Sequence, residues 1–206
     1  MLFKNRYNAG KLLAKKLSAY KNKKEVIILG IPRGGVEVAF SVAKALKATL
    51  SVVVTKKIGH PFNPELAIGA VSPDNYILDE DYKDKEGYAK KAIKELNVEI
   101  KKRYKLYTEG KLPQLKNKIV VVVDDGLATG HTMLAAIKYI KSKNPKKIIA
   151  AIPVAAQDSY EKIKATADEV ICLRVPIFFS AVGSFYREFE QLEDEEVMEL
   201  LGEAKK

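Results

Sequence analysis

The sequence contains no tryptophan, a single cysteine and no long apolar run, and each absence excludes a class of protein. One cysteine, Cys172, can form neither an intramolecular disulfide nor a cysteine-built zinc site. It lies inside an apolar strand pattern, where we expect an inert thiol. The longest apolar runs have the length of a strand, and the basic N-terminus lacks the uninterrupted apolar core of a secretory signal. These features predict a soluble cytoplasmic protein.

The composition is that of a folded chain. Of the 206 residues 47% are hydrophobic and 30% are charged, and the counts of glycine (12) and proline (8) are ordinary. Disordered, collagenous and low-complexity proteins are therefore excluded. The length suits one domain with a sizeable core over residues 1–206.

Charge is unevenly distributed along the chain. The 36 basic and 26 acidic residues give a net charge of +10. Residues 1–24 hold eight Lys or Arg and no acid, whereas residues 188–199 hold seven acids and no base. A basic excess favours anionic partners. The lysines are spread over helical faces without interleaved aromatic residues, so a solvated surface is a simpler interpretation than nucleic-acid binding.

Continuously apolar segments alternate with helical periodicity through most of the chain. Such segments are typical of parallel strands that are covered on both faces. We predict an α/β fold with a doubly wound, mainly parallel central sheet, whose loops at the carboxyl ends of the strands share one edge. The strands are predicted at 25–30, 50–55, 118–123, 147–154 and 169–173, with weaker candidates at 67–71 and 76–78.

A long charged helix is predicted as an insertion at about residues 84–107. Its apolar residues recur every four positions, which places them on one stripe. The stripe could face the core or a partner subunit. Its members are Tyr88, Ala92, Leu96, Ile100 and Tyr104.

The most informative segment is residues 119–132, IVVVVDDGLATGHT. Asp124 and Asp125 stand where a buried strand emerges, and the loop ends at a helix N-terminus, where backbone N–H groups favour a phosphate. Carboxylates suit vicinal hydroxyls, a divalent cation, or both. A phosphate and a diol a few ångströms apart describe a ribose 5-phosphate.

Three other interpretations fit this segment less well. Asp-Gly is typical of a hairpin turn, but a helix follows here. Helix capping alone does not explain why two aspartates and two glycines occur in this segment. A receiver-type phosphorylation domain would need an aspartate at the end of a later strand, and Asp168 instead precedes one.

The segment VVVVDDGLATGHT resembles the phosphoribosyl-pyrophosphate signature of type I phosphoribosyltransferases. Five further segments extend the resemblance to a branch of that family whose acceptor is unassigned: RYNAGKLLAKKL, IPRGGVEVA, KKIGHPFNPELAIGAV, IPVAAQDS and FSAVGSFY. It implies an enzyme of nucleotide metabolism that moves ribose 5-phosphate from phosphoribosyl pyrophosphate (PRPP) to a nitrogenous base and releases pyrophosphate. It also implies Mg²⁺ as cofactor and a homodimer as the assembly.

The resemblance assigns roles to individual residues. Asp124 and Asp125 would hold the ribose hydroxyls directly or through Mg²⁺. Arg33 and a lysine, Lys56 or Lys57, would bind pyrophosphate, with residues 58–66 as a short mobile loop. The two glycines after Arg33, Gly34 and Gly35, would let the backbone approach the pyrophosphate. The 5-phosphate would lie against Gly126, Ala128, Thr129, Gly130, His131 and Thr132.

The acceptor would lie under a hood built outside the sheet. We predict it at residues 175–187, with a contribution from the first residues of the chain. Phe178, Phe179 and Tyr186 could stack on a flat base, or they could be core or dimer contacts. Two other functions stay open, a PRPP-sensing regulator of a partner or an RNA and a ribose-phosphate hydrolase on the same scaffold.

Overall fold

A computed structural model describes residues 2–73, 75–82, 86–111 and 113–205. Three short 3-10 segments lie at Ser18–Tyr20, Glu80–Tyr82 and Val182–Phe185. The helices and strands, in chain order, are α1 (Arg6–Lys16), β1 (Val26–Gly30), α2 (Gly34–Leu46), β2 (Thr49–Val52), β3 (Lys56–His60), β4 (Asn63–Ser72), β5 (Asn75–Leu78), α3 (Glu86–Thr108), β6 (Ile119–Val123), α4 (His131–Ser142), β7 (Lys147–Val154), α5 (Gln157–Lys164), β8 (Glu169–Arg174) and α6 (Asp194–Glu203).

Five strands form a central parallel sheet in the order β2-β1-β6-β7-β8. Every residue of β1 and β6 is buried, because helices cover both faces. On one face Leu13 of α1, Val38 of α2 and Leu200 of α6 join the core. On the other face Ile137 of α4 and Ile163 of α5 do so. The predicted doubly wound α/β fold is confirmed, and the loops that follow β1 and β6 leave the sheet at the same edge.

A second, antiparallel sheet of three strands, β3-β4-β5, corrects one prediction. Residues 58–66, expected as a loop, are largely the β3–β4 hairpin, with Pro61 and Phe62 in its turn. Glycines and prolines made this stretch resemble a loop, yet the buried Ile58 fixes β3 against the core, and the pairing becomes irregular around Gly59. The weaker candidates 67–71 and 76–78 lie in β4 and β5.

The long helix α3 packs its apolar stripe against the protein's own core. Ile100, Tyr104 and Tyr107 are buried in the same cluster as residues of β2 and α2. The Tyr104 hydroxyl accepts a hydrogen bond from the backbone N–H of Val54 at 3.0 Å. Of the two alternatives for the stripe, the core-facing one is therefore correct. The expected start of the helix at residue 84 lies outside the described residues.

The first helix and the cysteine complete the description of the fold. The first helix begins at Arg6, because Asn5 caps it by accepting a hydrogen bond from the Asn8 N–H. Cys172 is half-buried on the edge strand β8 and not fully inside the core. Burial raises the pKa of its thiol to about 11, so the sulfur stays protonated at neutral pH.

Within the described part of the chain, no helix is long and apolar enough to cross a membrane.

Candidate functional site

The loops after β1 and β6 touch each other at the carboxyl edge of the sheet. A β-carbon at Gly34 would overlap the Asp125 carboxylate, and one at Gly35 would lie 2.8 Å from the Val123 carbonyl oxygen. Only glycine permits so close an approach at these two positions. The peptide bond between Pro32 and Arg33 in this loop is cis. The predicted pyrophosphate loop and the predicted ribose-binding aspartates are thus brought into direct contact.

Asp124 and Asp125 form a closely coupled pair of acids. Asp124 is only 9% exposed, and its Oδ1 accepts a hydrogen bond from the Asp125 N–H at 2.9 Å. Burial, together with the neighbouring charge of Asp125, raises the pKa of Asp124. Burial also raises the pKa of Asp125, but the Arg6 guanidinium opposes that shift. A buried pair of carboxylates favours ligands that bring hydroxyl donors or positive charge.

Arg6 belongs to this site, although its side chain was not predicted there. It is 6% exposed on α1, and its Nε–H donates to Asp125 Oδ2 at 2.8 Å. Its Nη1 donates to the Glu190 carbonyl oxygen at 2.7 Å. A hint was present in the sequence, because Arg6 is the single arginine among the eight basic residues of positions 1–24. No periodicity argument places a residue of the first helix beside one 119 positions later.

The β6–α4 loop is held by its own backbone and leaves its outer part open. Leu127 donates to the Val154 carbonyl oxygen and accepts from the Ala156 N–H, both at 2.9 Å, and the Ser159 hydroxyl donates to the Ala128 carbonyl oxygen at 2.5 Å. The last two residues before Gly130, Ala128 and Thr129, are exposed.

Gly130 starts α4 from the left-handed region, with φ of 78°. In the described structure no side chain caps this helix. Helix geometry leaves the N–H groups of the first turn without intrahelical partners, so an anion can accept from them. Thr132 lies half-buried in that first turn.

The His131 side chain leaves this loop for the second sheet. Its Nε2 lies 2.9 Å from Asp79 Oδ1, just after β5, and the ring is 7% exposed. Of His131, only the backbone is therefore available to the predicted phosphate position. The imidazole instead links α4 to the β3-β4-β5 sheet.

Two of the predicted pyrophosphate-binding side chains, Arg33 and Lys56, are paired with carboxylates. Arg33 Nη1 lies 2.7 Å from Oε2 of Glu193, the residue before α6. Lys56 Nζ lies 2.8 Å from Glu99 Oε2 on α3, and this hydrogen bond lowers the pKa of Glu99. Lys57 is exposed next to Lys56. An anion bound by Arg33 or Lys56 would compete with these carboxylates.

The hood candidates differ in their surroundings. Phe178 is 90% exposed, whereas Phe179 stacks on Phe185 with ring centroids 5.5 Å apart. Tyr186 is buried, and its hydroxyl donates to the Asp125 carbonyl oxygen at 2.6 Å. Of the two interpretations given above, the core contact is therefore correct for Tyr186. Its ring cannot offer a face to a base, while Phe178 is open to one.

The hood also contains the start of the chain. The Phe3 N–H donates to the Phe185 carbonyl oxygen at 2.8 Å, and the Arg187 N–H donates to the Phe3 carbonyl oxygen at 2.9 Å. The side chain of Asn5 donates to Glu188 at 2.9 Å. These contacts fix the N-terminus against the segment predicted at 175–187 and reach beyond its end, to Glu188.

The donor set at the aspartates fits Mg²⁺. Asp124 and Asp125 provide hard carboxylate oxygens. Over residues 2–73, 75–82, 86–111 and 113–205, no group of three or more His, Cys, Asp or Glu side chains could hold a metal. Mg²⁺ commonly binds to one or two carboxylates and completes its shell with substrate oxygens and water. A substrate-assisted site therefore suits these residues better than a preformed protein cage.

Residues 3–190 match the phosphoribosyl transferase domain. The chain belongs to this family. The resemblance that the β6–α4 segment and the other quoted stretches indicated is confirmed over nearly the whole sequence.

Relatives of known name or structure agree with this assignment. A provisionally named phosphoribosyl transferase of Mycobacterium tuberculosis is 40% identical over 211 residues, covering 98% of this chain and 47% of the relative. The chain thus spans about half the length of the curated relatives it matches first. A crystal structure of a Thermus thermophilus protein is 38% identical, with a TM-score of 0.84 and coverage of 98% and 99%. An Aquifex aeolicus structure, at 17% identity, a TM-score of 0.54 and coverage of 82% and 74%, shares the fold.

Proposed function

We propose that the protein is a Mg²⁺-dependent phosphoribosyltransferase that moves ribose 5-phosphate from PRPP to a nitrogenous base and releases pyrophosphate. The observation that supports this most strongly is the contact between two loops. Gly34 and Gly35 lie directly against Asp124 and Asp125, and an uncapped helix N-terminus follows in the same loop, at Gly130. The proposed positions for a pyrophosphate, a diol and a monophosphate would therefore be adjacent.

The ribose phosphate would be bound by backbone and carboxylate groups. N–H groups of the Ala128–Thr132 stretch, together with the hydroxyls of Thr129 and Thr132, would donate to the 5-phosphate. Asp124 and Asp125 would accept from the ribose hydroxyls or bind Mg²⁺. Because the site is built from fixed loop ends, the sugar would be held in one orientation relative to the leaving group.

The transfer itself needs little covalent work from the protein. The bond from ribose C1 to the pyrophosphate oxygen breaks, and the oxygen keeps the electron pair. The acceptor nitrogen uses its lone pair to form the new bond to C1 and releases its proton to water. Positive charge builds on the sugar, as in other glycosyl transfers. Arg33 and Lys56 would stabilise the departing pyrophosphate after exchanging their Glu193 and Glu99 partners for phosphate oxygens. Magnesium, when bound, neutralises part of the pyrophosphate charge.

The acceptor would enter beneath the hood. Phe178 is the exposed aromatic side chain there and would offer a ring face to a flat base. Phe179 and Tyr186 would support the hood from inside, through the Phe185 stack and the Asp125 carbonyl. Residues 175–190 and the first residues of the chain would form this acceptor region as one unit.

A calorimetric titration with PRPP and Mg²⁺ tests the site. We expect saturable binding by the wild type, complete loss in the Asp124→Asn, Asp125→Asn double variant, and unchanged binding in Asp158→Asn. Asp158 is an exposed acid on α5 and serves as the matched control. Binding that survives the double substitution would disprove the proposed site.

Pyrophosphate release over a panel of purine and pyrimidine bases then tests the reaction. Release that depends on one base identifies the acceptor and supports a transferase. Release without any base would instead indicate a hydrolase. Tight binding without release would replace the enzyme with a PRPP-sensing protein.

A further inference from the structure

We propose that Arg6 is a positioning residue that fixes Asp125 to the acceptor hood, so that the ribose site and the acceptor site form one rigid unit. This inference rests on the proposed function, because it concerns how PRPP and the acceptor are bound. A set of contacts joins α1, the β6–α4 loop and the hood at one buried guanidinium.

The Arg6 guanidinium has partners on three sides. Its Nε–H donates to Asp125 Oδ2 at 2.8 Å, and its Nη1 donates to the Glu190 carbonyl oxygen at 2.7 Å. Its central carbon lies 3.8 Å from the centroid of the Phe189 ring, which places the cation over an aromatic face. Glu37 Oε2 of α2 lies 3.7 Å from Nη1. One side chain thus contacts a proposed ligand-binding acid and two consecutive hood residues.

A second contact holds Asp125 to the hood, through its main chain. The Tyr186 hydroxyl donates to the Asp125 carbonyl oxygen at 2.6 Å, so the hood binds the main chain of this residue while Arg6 holds its side chain. Gly34 lies against the same carboxylate. A shift of the hood would therefore move the carboxylate that we place on the ribose.

The chemistry of this position favours arginine over lysine. A guanidinium is planar and carries five N–H donors in fixed directions, so it can serve Asp125 and the Glu190 carbonyl at once while it stacks on Phe189. A lysine ammonium would restore the positive charge beside Asp125. It would not reproduce the stack, nor the fixed geometry of the two hydrogen bonds. Substitution of Arg6 by lysine therefore separates the effect of the positive charge from the effect of the contacts that hold Asp125 to the hood.

The experiment is a calorimetric titration with PRPP and Mg²⁺ of the wild type, Arg6→Gln, Arg6→Lys, Asp125→Asn and the double variant Arg6→Gln, Asp125→Asn. Lys15→Gln is the matched control, because Lys15 is exposed on the same helix α1 and its loss changes the net charge by the same amount. A variant that only unfolds lowers the fraction of binding sites and leaves the Kd of the folded molecules unchanged. The Kd is therefore the readout that separates positioning from stability.

We expect Arg6→Gln to raise the Kd for PRPP by roughly 10- to 100-fold, the range observed when residues that orient ligand-binding groups are removed. Arg6→Lys should recover part of that loss, and Lys15→Gln should bind like the wild type. In the Asp125→Asn background, Arg6→Gln should add little, because Arg6 acts through Asp125.

Three results would overturn the inference: an unchanged Kd in Arg6→Gln, full recovery by lysine, or losses that add in the double variant. Arg6→Lys, which keeps the charge, still decides the question if Arg6→Gln does not fold. Failure of the wild type to bind PRPP would instead contradict the proposed function itself, so the two failures are distinguishable.

Discussion

The β6–α4 loop and the predicted hood contact each other, through the Tyr186 hydroxyl and the Asp125 carbonyl oxygen, but are built in different ways. The loop is one contiguous stretch between a buried strand and a helix, and its backbone is fixed by neighbours at the end of β7. The hood combines residues 2–5 with residues 175–190 and is held by contacts between the two ends of the chain. The β6–α4 loop can therefore be recognised as a sequence motif, because it is one contiguous stretch. The hood is assembled from separate segments, so it is defined only by the whole fold.

The two regions meet at Asp125. Asp125 belongs to the loop, yet Arg6 and Tyr186 of the α1 and hood segments fix its side chain and main chain. Predictions on this junction test whether the loop functions independently of the hood.

The largest effect is expected from Gly34→Ala, which breaks the contact between the two loops. The new β-carbon would overlap the Asp125 carboxylate, so we expect a loss of about 1–3 kcal/mol in the free energy of unfolding. PRPP binding should weaken about 100-fold, because the aspartates would move. Chemical denaturation and calorimetry measure both effects.

Gly202→Ala is the control for this substitution. A β-carbon at Gly202 on α6 meets no neighbour within 4 Å. The variant should therefore be as stable as the wild type or more stable by about 0.5–1 kcal/mol. Similar behaviour of the two glycine variants would contradict a tight junction.

Tyr186→Phe removes one hydrogen bond between the hood and the loop. The Asp125 carbonyl oxygen would lose its partner, so we expect a cost of about 1–3 kcal/mol in the free energy of unfolding. Tyr160→Phe on α5 is the matched control. Equal stability of Tyr186→Phe and the wild type in urea would show that the hood contributes nothing to the loop through this bond.

Asp124→Asn separates stability from binding within the loop. Burial raises the pKa of Asp124, so the folded protein holds that proton more tightly than the unfolded chain, and ionisation destabilises the fold as pH rises. The neutral amide removes this cost, and we expect a gain of about 1 kcal/mol near neutral pH together with loss of PRPP binding.

The pH dependence provides the check on Asp124→Asn. The gain in stability of this variant over the wild type should grow as pH rises toward the folded-state pKa of Asp124. It should vanish below about 3.9, the ordinary pKa of an aspartate, where both proteins are neutral at this position. A constant difference in thermal stability across that range would contradict the assigned cause.

The smallest effect on stability is expected at the tip of the hood. Phe178→Ala should change the free energy of unfolding by no more than about 0.5 kcal/mol, because the ring is 90% exposed. Phe179→Ala, which removes the stack on Phe185, should cost about 1 kcal/mol. If Phe178 contacts the acceptor, only Phe178→Ala should raise the KM for the base while leaving the Kd for PRPP unchanged.

Prediction from the sequence succeeded where neighbours along the chain determine the structure. The runs of β-branched residues before Gly30 and Asp124 predicted buried parallel strands, and the topology of such sheets predicted that the following loops share an edge. Prediction failed at the β3–β4 hairpin, because Gly59 and Pro61 are typical of loops. Strand β3 is defined there by its pairing with β4. Prediction also missed Arg6, whose partners lie 119 and 184 positions away.

The family, the central sheet and the two acidic residues at its edge could be read from the amino-acid sequence, because each depends on short segments with a characteristic pattern. The tertiary structure decided which carboxylate is paired with Arg6, which hood ring is open, and that the His131 side chain turns toward Asp79. These features depend on distances between residues remote in the chain. Such distances are fixed only when the apolar faces of the helices close over the sheet.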